Sequence, residues 1–190
     1  MKLILLYIQS MLLDLLPVIP VVLLLRLGVC FYHRKKGRKT TALHETGVIL
    51  FALFLMGLAS VTVSLDFLFR GEFAMRGEVN FVPLRTILIY WSRGTASELL
   101  INIWGNIGMF LPIGFCVPLL WEKRETFRWA LLCGFGVSFL IEFLQLFSFR
   151  TTDVDDLILN TLGACLGWLA FVLLNRLFPR AVERFRMKRI

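Results

Sequence analysis

The polar residues that are suited to chemistry in this chain are concentrated in one stretch, EFLQLFSFRTTDVDDLILN, residues 142–160. A carboxyl group such as that of Glu142 can act as a general acid or base. Asp153 and Asp156 carry the oxygen ligands that hold Mg²⁺ against a phosphate, and Arg150 offers a planar fork of donors to a phosphate or carboxylate. These residue types are suited to a site that binds a phosphate-bearing molecule or catalyses a reaction on it.

Structural roles compete with this interpretation. Asparagine and glutamine often form interhelical hydrogen bonds worth about 0.6 kcal/mol each. Thr152 or Asp153 can cap a helix that follows, and Asp155 and Asp156 are favoured at the positive end of its dipole. Glu142 is harder to explain in this way, because a buried carboxylate must be paired or protonated to be tolerated.

The chain that positions these residues is too apolar for an ordinary soluble domain. It is 58% apolar with a mean hydropathy of +0.77, whereas soluble domains are about half apolar. Segments long enough to cross a hydrocarbon core of about 30 Å as helices cover residues 3–25, 47–69, 99–121, 127–149 and 157–178. The sequence predicts an all-α, polytopic transmembrane helical bundle of these five segments, plus a short interfacial or re-entrant segment within residues 70–98.

The distribution of lysine and arginine predicts the orientation. Basic residues cluster in residues 34–39, 123–128 and 176–189, and such runs stay in the cytoplasm. We therefore expect a multi-pass protein of the cell membrane with its N-terminus outside and its C-terminus in the cytoplasm. These runs explain the formal charge of +8 and would lie against anionic headgroups, so no nucleic-acid partner is expected.

The cysteines do not indicate a disulfide framework or a metal site. The four cysteines share no CxxC spacing and are accompanied by two histidines. Zinc sites and disulfide frameworks have recognisable cysteine spacings, which are missing here. We expect neither a metal nor a cofactor.

With that topology, the polar residues fall at one depth, towards the outside. Residues three or four apart share a helix face, and such stripes run through residues 102–106, 138–145 and 153–160. Polar groups in a bilayer are costly and face a bundle interior or a wet cavity, so we expect one outward-facing pocket in which Glu142 bonds Gln145 and Asn102 or Asn106. The candidate pocket residues are Asn102, Asn106, Glu142, Gln145, Arg150, Asp153, Asp156 and Asn160.

Three segments of the chain resemble the VanZ-like family of small membrane proteins. They are VNFVPL (79–84), NIWGNIGMFLPIGF (102–115) and SFLIEFLQLFSFRTTDVDDLILNTLGACLG (138–167). The family's characteristic positions map to Asn80, Pro83, Asn102, Asn106, Pro112, Gly114, Glu142, Gln145, Arg150, Asp153, Asp156, Asn160 and Gly163. The predicted organisation is an N-terminal helix with a basic cytoplasmic loop (1–46), a VanZ-like transmembrane domain (47–178) and a basic cytoplasmic tail (179–190).

The resemblance implies a cell-envelope role in a bacterium, because the family takes its name from a protein associated with resistance to the glycopeptide teicoplanin. The first hypothesis is a pocket that binds membrane lipids, a lipid-linked envelope precursor or glycan, or a glycopeptide, and so influences teicoplanin susceptibility. A purely structural bundle ranks second. An enzyme acting on an envelope lipid ranks third, because no nucleophile with an adjacent base is visible. A transporter is disfavoured by the lack of an inverted repeat.

Overall fold

The computed structural model describes residues 16–35, 38–63, 78–147, 151–186 and 188–189. The chain divides into two compact units. The terminal unit comprises Met1–Thr62, Leu119–Lys123 and Leu173–Ile190, and the central unit comprises Val63–Pro118 and Arg124–Val172.

Helices dominate the described residues, which confirms the all-α prediction. The helices are α1 (Val18–Lys35), α2 (Ala42–Thr62), α3 (Arg85–Arg93), α4 (Ala96–Leu120), α5 (Phe127–Gln145), α6 (Val154–Leu177) and α7 (Pro179–Arg184). Two-residue strands supplement them: β1 (Arg38–Lys39), β2 (Val79–Asn80), β3 (Thr152–Asp153) and β4 (Lys188–Arg189). Strands β1 and β4 pair antiparallel, and β2 and β3 pair parallel.

Four helices in the described part of the chain, α2, α4, α5 and α6, are long and apolar enough to cross a membrane. Much of their apolar surface is exposed, as expected where lipid rather than water surrounds a helix. The chain is therefore a membrane protein. The first predicted segment, 3–25, is described only from residue 16, where α1 begins at Val18 and continues to Lys35. Its apolar part, Ile19–Tyr32, is shorter than the other four spans.

Several predicted helix ends were wrong by a few residues, and capped polar first turns explain three of the starts. Helix α4 begins three residues early at Ala96, because Thr95 and Glu98 form a capping box. Helix α2 begins at Ala42, where the Thr41 hydroxyl accepts the His44 amide. Helix α6 begins at Val154, three residues before the apolar segment, and Asp153 Oδ1 accepts the Asp155 amide there, which confirms the cap expected from the sequence. A hydropathy window misses such turns because they are polar.

The C-terminal ends also differ from prediction. Helix α2 ends at Thr62 and α5 at Gln145, although the apolar windows extend to 69 and 149. Residues 64–77 and 148–150 lie outside the described part of the chain.

The terminal unit has its own polar contacts. Arg26 on α1 forms a bidentate ion pair with Glu45 on α2. Its Nε donates to Oε2 at 2.5 Å and its Nη2 donates to Oε1 at 3.1 Å. The fully buried His44 ring contacts the carbonyl of Phe185 through Nδ1 at 2.8 Å. These contacts join α1 and the C-terminal tail to the start of α2.

Glycines allow the helices of the central unit to approach at backbone distance. A Cβ at Gly163 or Gly167 of α6 would overlap backbone atoms of α4, and a Cβ at Gly114 of α4 would overlap the backbone of Ala164. Membrane helices associate through such small residues, because lipid provides no hydrophobic force between them. The close α4–α6 contact sets the polar residues of α4 beside those of α6.

Candidate functional site

The end of α5 and the strand β3 meet at Glu142. The side chain of Glu142 is only 7% exposed, and its Oε2 accepts the backbone N–H of Asp153 at 2.9 Å. The Thr152 hydroxyl donates to the backbone carbonyl of the same glutamate at 3.3 Å. These bonds fold residues 151–153 back onto the end of α5. The predicted partners of Glu142, Asn102 and Asn106, bond elsewhere, so that part of the prediction was wrong.

Asp153 lies in β3 rather than on the helical stripe where it was predicted. Its Oδ1 accepts from Asn80 Nδ2 and from the Asp155 amide, both at 2.9 Å, and its Oδ2 accepts the Thr86 hydroxyl at 2.5 Å. The parallel β2–β3 pair causes this arrangement, because it sets Asn80 opposite Asp153. Asp153 therefore joins the 78–93 segment to the start of α6.

Asp155 is the most deeply buried carboxylate of the region, with no exposed surface. It accepts the backbone amides of Leu84 at 2.5 Å, Thr86 at 2.7 Å and Ile87 at 3.1 Å. The sequence indicated only a favourable helix-dipole position for Asp155. Its partners lie about seventy residues earlier in the chain, so no local pattern identifies them.

Asn106 and Asp156 join α4 to α6. Asn106 Nδ2 donates to Asp156 Oδ1 at 2.5 Å and to the backbone carbonyl of Asn102 at 3.0 Å. Asn102 Nδ2 donates to the carbonyl of Glu98 at 3.0 Å. Asn102 lies in a π-helical turn, Leu100–Trp104, inside α4. Such turns are frequent at functional sites, and nothing in the apolar pattern revealed this one.

One turn deeper, α5 and α6 are bonded through Asn160. Its Nδ2 donates to the hydroxyl of Ser138 at 2.9 Å, and both side chains are buried. Gln145 is also buried, at the end of α5. Arg150 lies outside the described residues, so its predicted role stays a prediction.

The structure thus brings the described candidate residues to neighbouring helix ends. Glu142, Asp153 and Asp155 are buried, whereas Asp156 and Asn106 are partly exposed. We call Glu142, Asp156 and Asn106 the polar cluster. Asp153 and Asp156 lie close enough to Glu142 for their negative charges to act on it.

The hydrogen bonds separate two kinds of carboxylate. In Asp153 and Asp155 both oxygens accept bonds from the protein. Within the described residues, the bonds to Glu142 and Asp156 engage one oxygen of each carboxylate. A carboxylate has about four acceptor sites, so these two side chains keep acceptor capacity. Among the described residues, no group of three or more His, Cys, Asp and Glu side chains is arranged to hold a metal ion.

Comparison with known proteins places residues 21–175 in the VanZ/LLP1 family model. Neither the curated proteins nor the solved structures contain a match to the chain. The family match includes the polar cluster and the 78–93 segment.

Proposed function

This chain belongs to the VanZ/LLP1 family of membrane proteins, and from that premise we propose that it binds the polar headgroup of an envelope lipid, a lipid-linked glycan or a glycopeptide at the polar cluster. In this proposal the protein lies in a bacterial cell membrane with the cluster facing outwards. By sequestering such a molecule it influences susceptibility to glycopeptides such as teicoplanin.

One observation carries the proposal: the described residues bond both oxygens of Asp153 and Asp155 but only one oxygen each of Glu142 and Asp156. Polar residues within a membrane are costly and are found where a pathway, a ligand or a partner needs them. The bonds from Asp153 and Asn106 fix the two carboxylates, so a ligand group would meet acceptors that are already oriented. Hydroxyl and ammonium groups, which donate hydrogen bonds, are the complementary chemistry.

A structural role is favoured for the other two carboxylates. All four oxygens of Asp153 and Asp155 are bonded to side chains or backbone of the same protein. The structural hypothesis therefore accounts for these two residues, and the binding hypothesis rests on Glu142 and Asp156.

The test is lipid mass spectrometry on the protein purified from bacterial membranes in mild detergent, as wild type and as Glu142→Gln. Glutamine keeps an oxygen for the Asp153 amide but loses the charge and the second acceptor. A hydrogen bond to a charged group is worth about 1.5–3 kcal/mol, which corresponds to about tenfold or more in affinity. We expect one lipid enriched over the bulk membrane in the wild type and reduced about tenfold in the variant.

Glu122→Gln is the matched control, because Glu122 is exposed in a short turn at the other end of α4. This variant should retain the lipid at the wild-type level. Equal enrichment in all three proteins would place the binding site elsewhere, and a wild type without any enriched lipid would contradict the proposal.

A further inference from the structure

Helix α3 has no cap of its own. Its N-cap residue is Leu84, whose side chain makes no capping bond and whose backbone adopts the left-handed conformation, with φ of 65°. A nine-residue helix is marginal in isolation, and its first amides need acceptors. Asp155 supplies them from another helix, because its carboxylate binds the amides of Leu84, Thr86 and Ile87. The negative charge also complements the helix dipole.

A second attachment holds the same segment. Asp153 accepts from the side chains of Asn80 and Thr86, and the Thr152 amide donates to the carbonyl of Glu78 at 2.9 Å. Strand β3 and the start of α6 therefore hold residues 78–87 at several points. The position of α3 depends on these bonds more than on its own helix propensity.

Helix α3 is apolar on two faces. Ile87 and Tyr90 pack against the buried cluster of Ile103, Ile107 and Leu159. On the adjoining side of the helix, Leu88 and Trp91, also three residues apart, are 61% and 69% exposed. A helix that is apolar on both sides needs an apolar partner on the second side as well.

The chain itself indicates what covers that second face. Helix α3 ends at Arg93, and the membrane-spanning α4 begins three residues later at Ala96. Exposed apolar residues continue into the first turns of α4 at Leu100 and Trp104. Tryptophan concentrates at the boundary between headgroups and acyl chains, where amphipathic helices bury an apolar face to a depth of about 5–10 Å.

We propose that α3 is an interfacial helix whose Leu88–Trp91 face inserts into the lipid headgroup boundary, and that Asp155 and Asp153 dock it onto α6 at that depth. The lipid surface is the partner of this face. Asp155 is a positioning residue in this arrangement, which holds whichever molecule the polar cluster binds.

The experiment places a nitroxide label at position 92 through Ser92→Cys, in full-length protein whose four native cysteines are replaced by alanine, reconstituted in liposomes. Ser92 is exposed and next to Trp91. Electron paramagnetic resonance measures label mobility, and relaxation by oxygen and by a water-soluble nickel complex measures depth. We expect an immobilised label with greater access to oxygen than to nickel. Asp155→Ala should make the label more mobile, which narrows the central line of its spectrum, and should increase the access of the nickel complex to the label.

Asp156→Ala is the matched control, because it removes the same atoms one position later without touching α3. Its spectrum should match that of the parent protein. Thr86→Val provides a milder second variant, because it removes the hydroxyl that donates to Asp153 and accepts from Asn80 but leaves the bonds from Asp155 to the backbone amides. It should narrow the central line of the spectrum partially even if Asp155→Ala fails to fold. Unchanged spectra in both Asp155→Ala and Thr86→Val would overturn the docking, and a nickel-accessible label in the parent protein would overturn the lipid contact.

Discussion

The carboxylates of the DVDD sequence differ in the hydrogen bonds that the described residues make to them, although they are close in the chain. Asp155 and Asp153 are bonded at both oxygens to residues of the 78–93 segment. Asp156 faces α4 instead, where Asn106 engages one oxygen. Asp155 and Asp156 differ because successive side chains of a helix point about 100° apart at 3.6 residues per turn, whereas Asp153 lies before the helix in β3.

The surroundings of Gly163 leave no room for a side chain. A Cβ there would overlap the backbone carbonyl of Ile107, whereas a Cβ at Gly136 of α5 meets nothing within 4 Å. We predict that Gly163→Ala lowers the free energy of unfolding by about 1–3 kcal/mol, the usual cost of overpacking. Thermal unfolding in detergent measures this effect.

Gly136→Ala is the control for that prediction. It should leave the unfolding midpoint unchanged or raise it slightly, since alanine favours a helix over glycine by about 0.8–1 kcal/mol. If both variants unfolded at the same temperature, the close α4–α6 contact would not determine stability.

At the scale of elements, the sequence predicted the spanning helices because the cost of burying backbone polar groups in lipid imposes long apolar segments. The α3 region was predicted as a short interfacial or re-entrant segment from its aromatic residues, and it forms a helix over Arg85–Arg93. The π-helical turn at Leu100–Trp104 and the β2–β3 pair were not predicted. The β2–β3 pair joins residues more than seventy positions apart, which local periodicity does not encode. The apolar pattern gave no signal for the π-helical turn.

The residues of the candidate site could be predicted from helical spacing, but their hydrogen-bond partners could not. The helical stripes identified Glu142, Asp156 and Asn106, whose positions in the helices follow from residue spacing alone. The partners of Glu142 did not follow, because the chain turns back at β3 and brings the Asp153 amide to the carboxylate. Hydropathy reports depth along a helix, and it does not report such a turn.

At the scale of the whole molecule, the expected orientation rests on the basic runs in residues 34–39, 123–128 and 176–189. We predict that single cysteines at Glu78 and Thr151 label from outside intact cells, and that one at Lys123 labels only after the membrane is opened. All three positions are exposed, so a failure to label reports the side of the membrane.

The opposite labelling pattern would invert the orientation and place the polar cluster on the cytoplasmic side. Labelling of Lys123 together with Glu78 in intact cells would contradict the expected path of α4 across the membrane. The inverted pattern would exclude a pocket that faces an extracellular glycopeptide.

The most direct test of the central claim is to locate the bound headgroup on the protein. The probe is a phospholipid that carries a diazirine beside its headgroup phosphate, cross-linked by light to the reconstituted protein and mapped by peptide mass spectrometry. We predict adducts concentrated at residues 102–106 and 153–156 and strongly reduced in Glu142→Gln. Adducts spread along the exposed Phe135–Phe143 face of α5, and unchanged in Glu142→Gln, would contradict binding at the polar cluster.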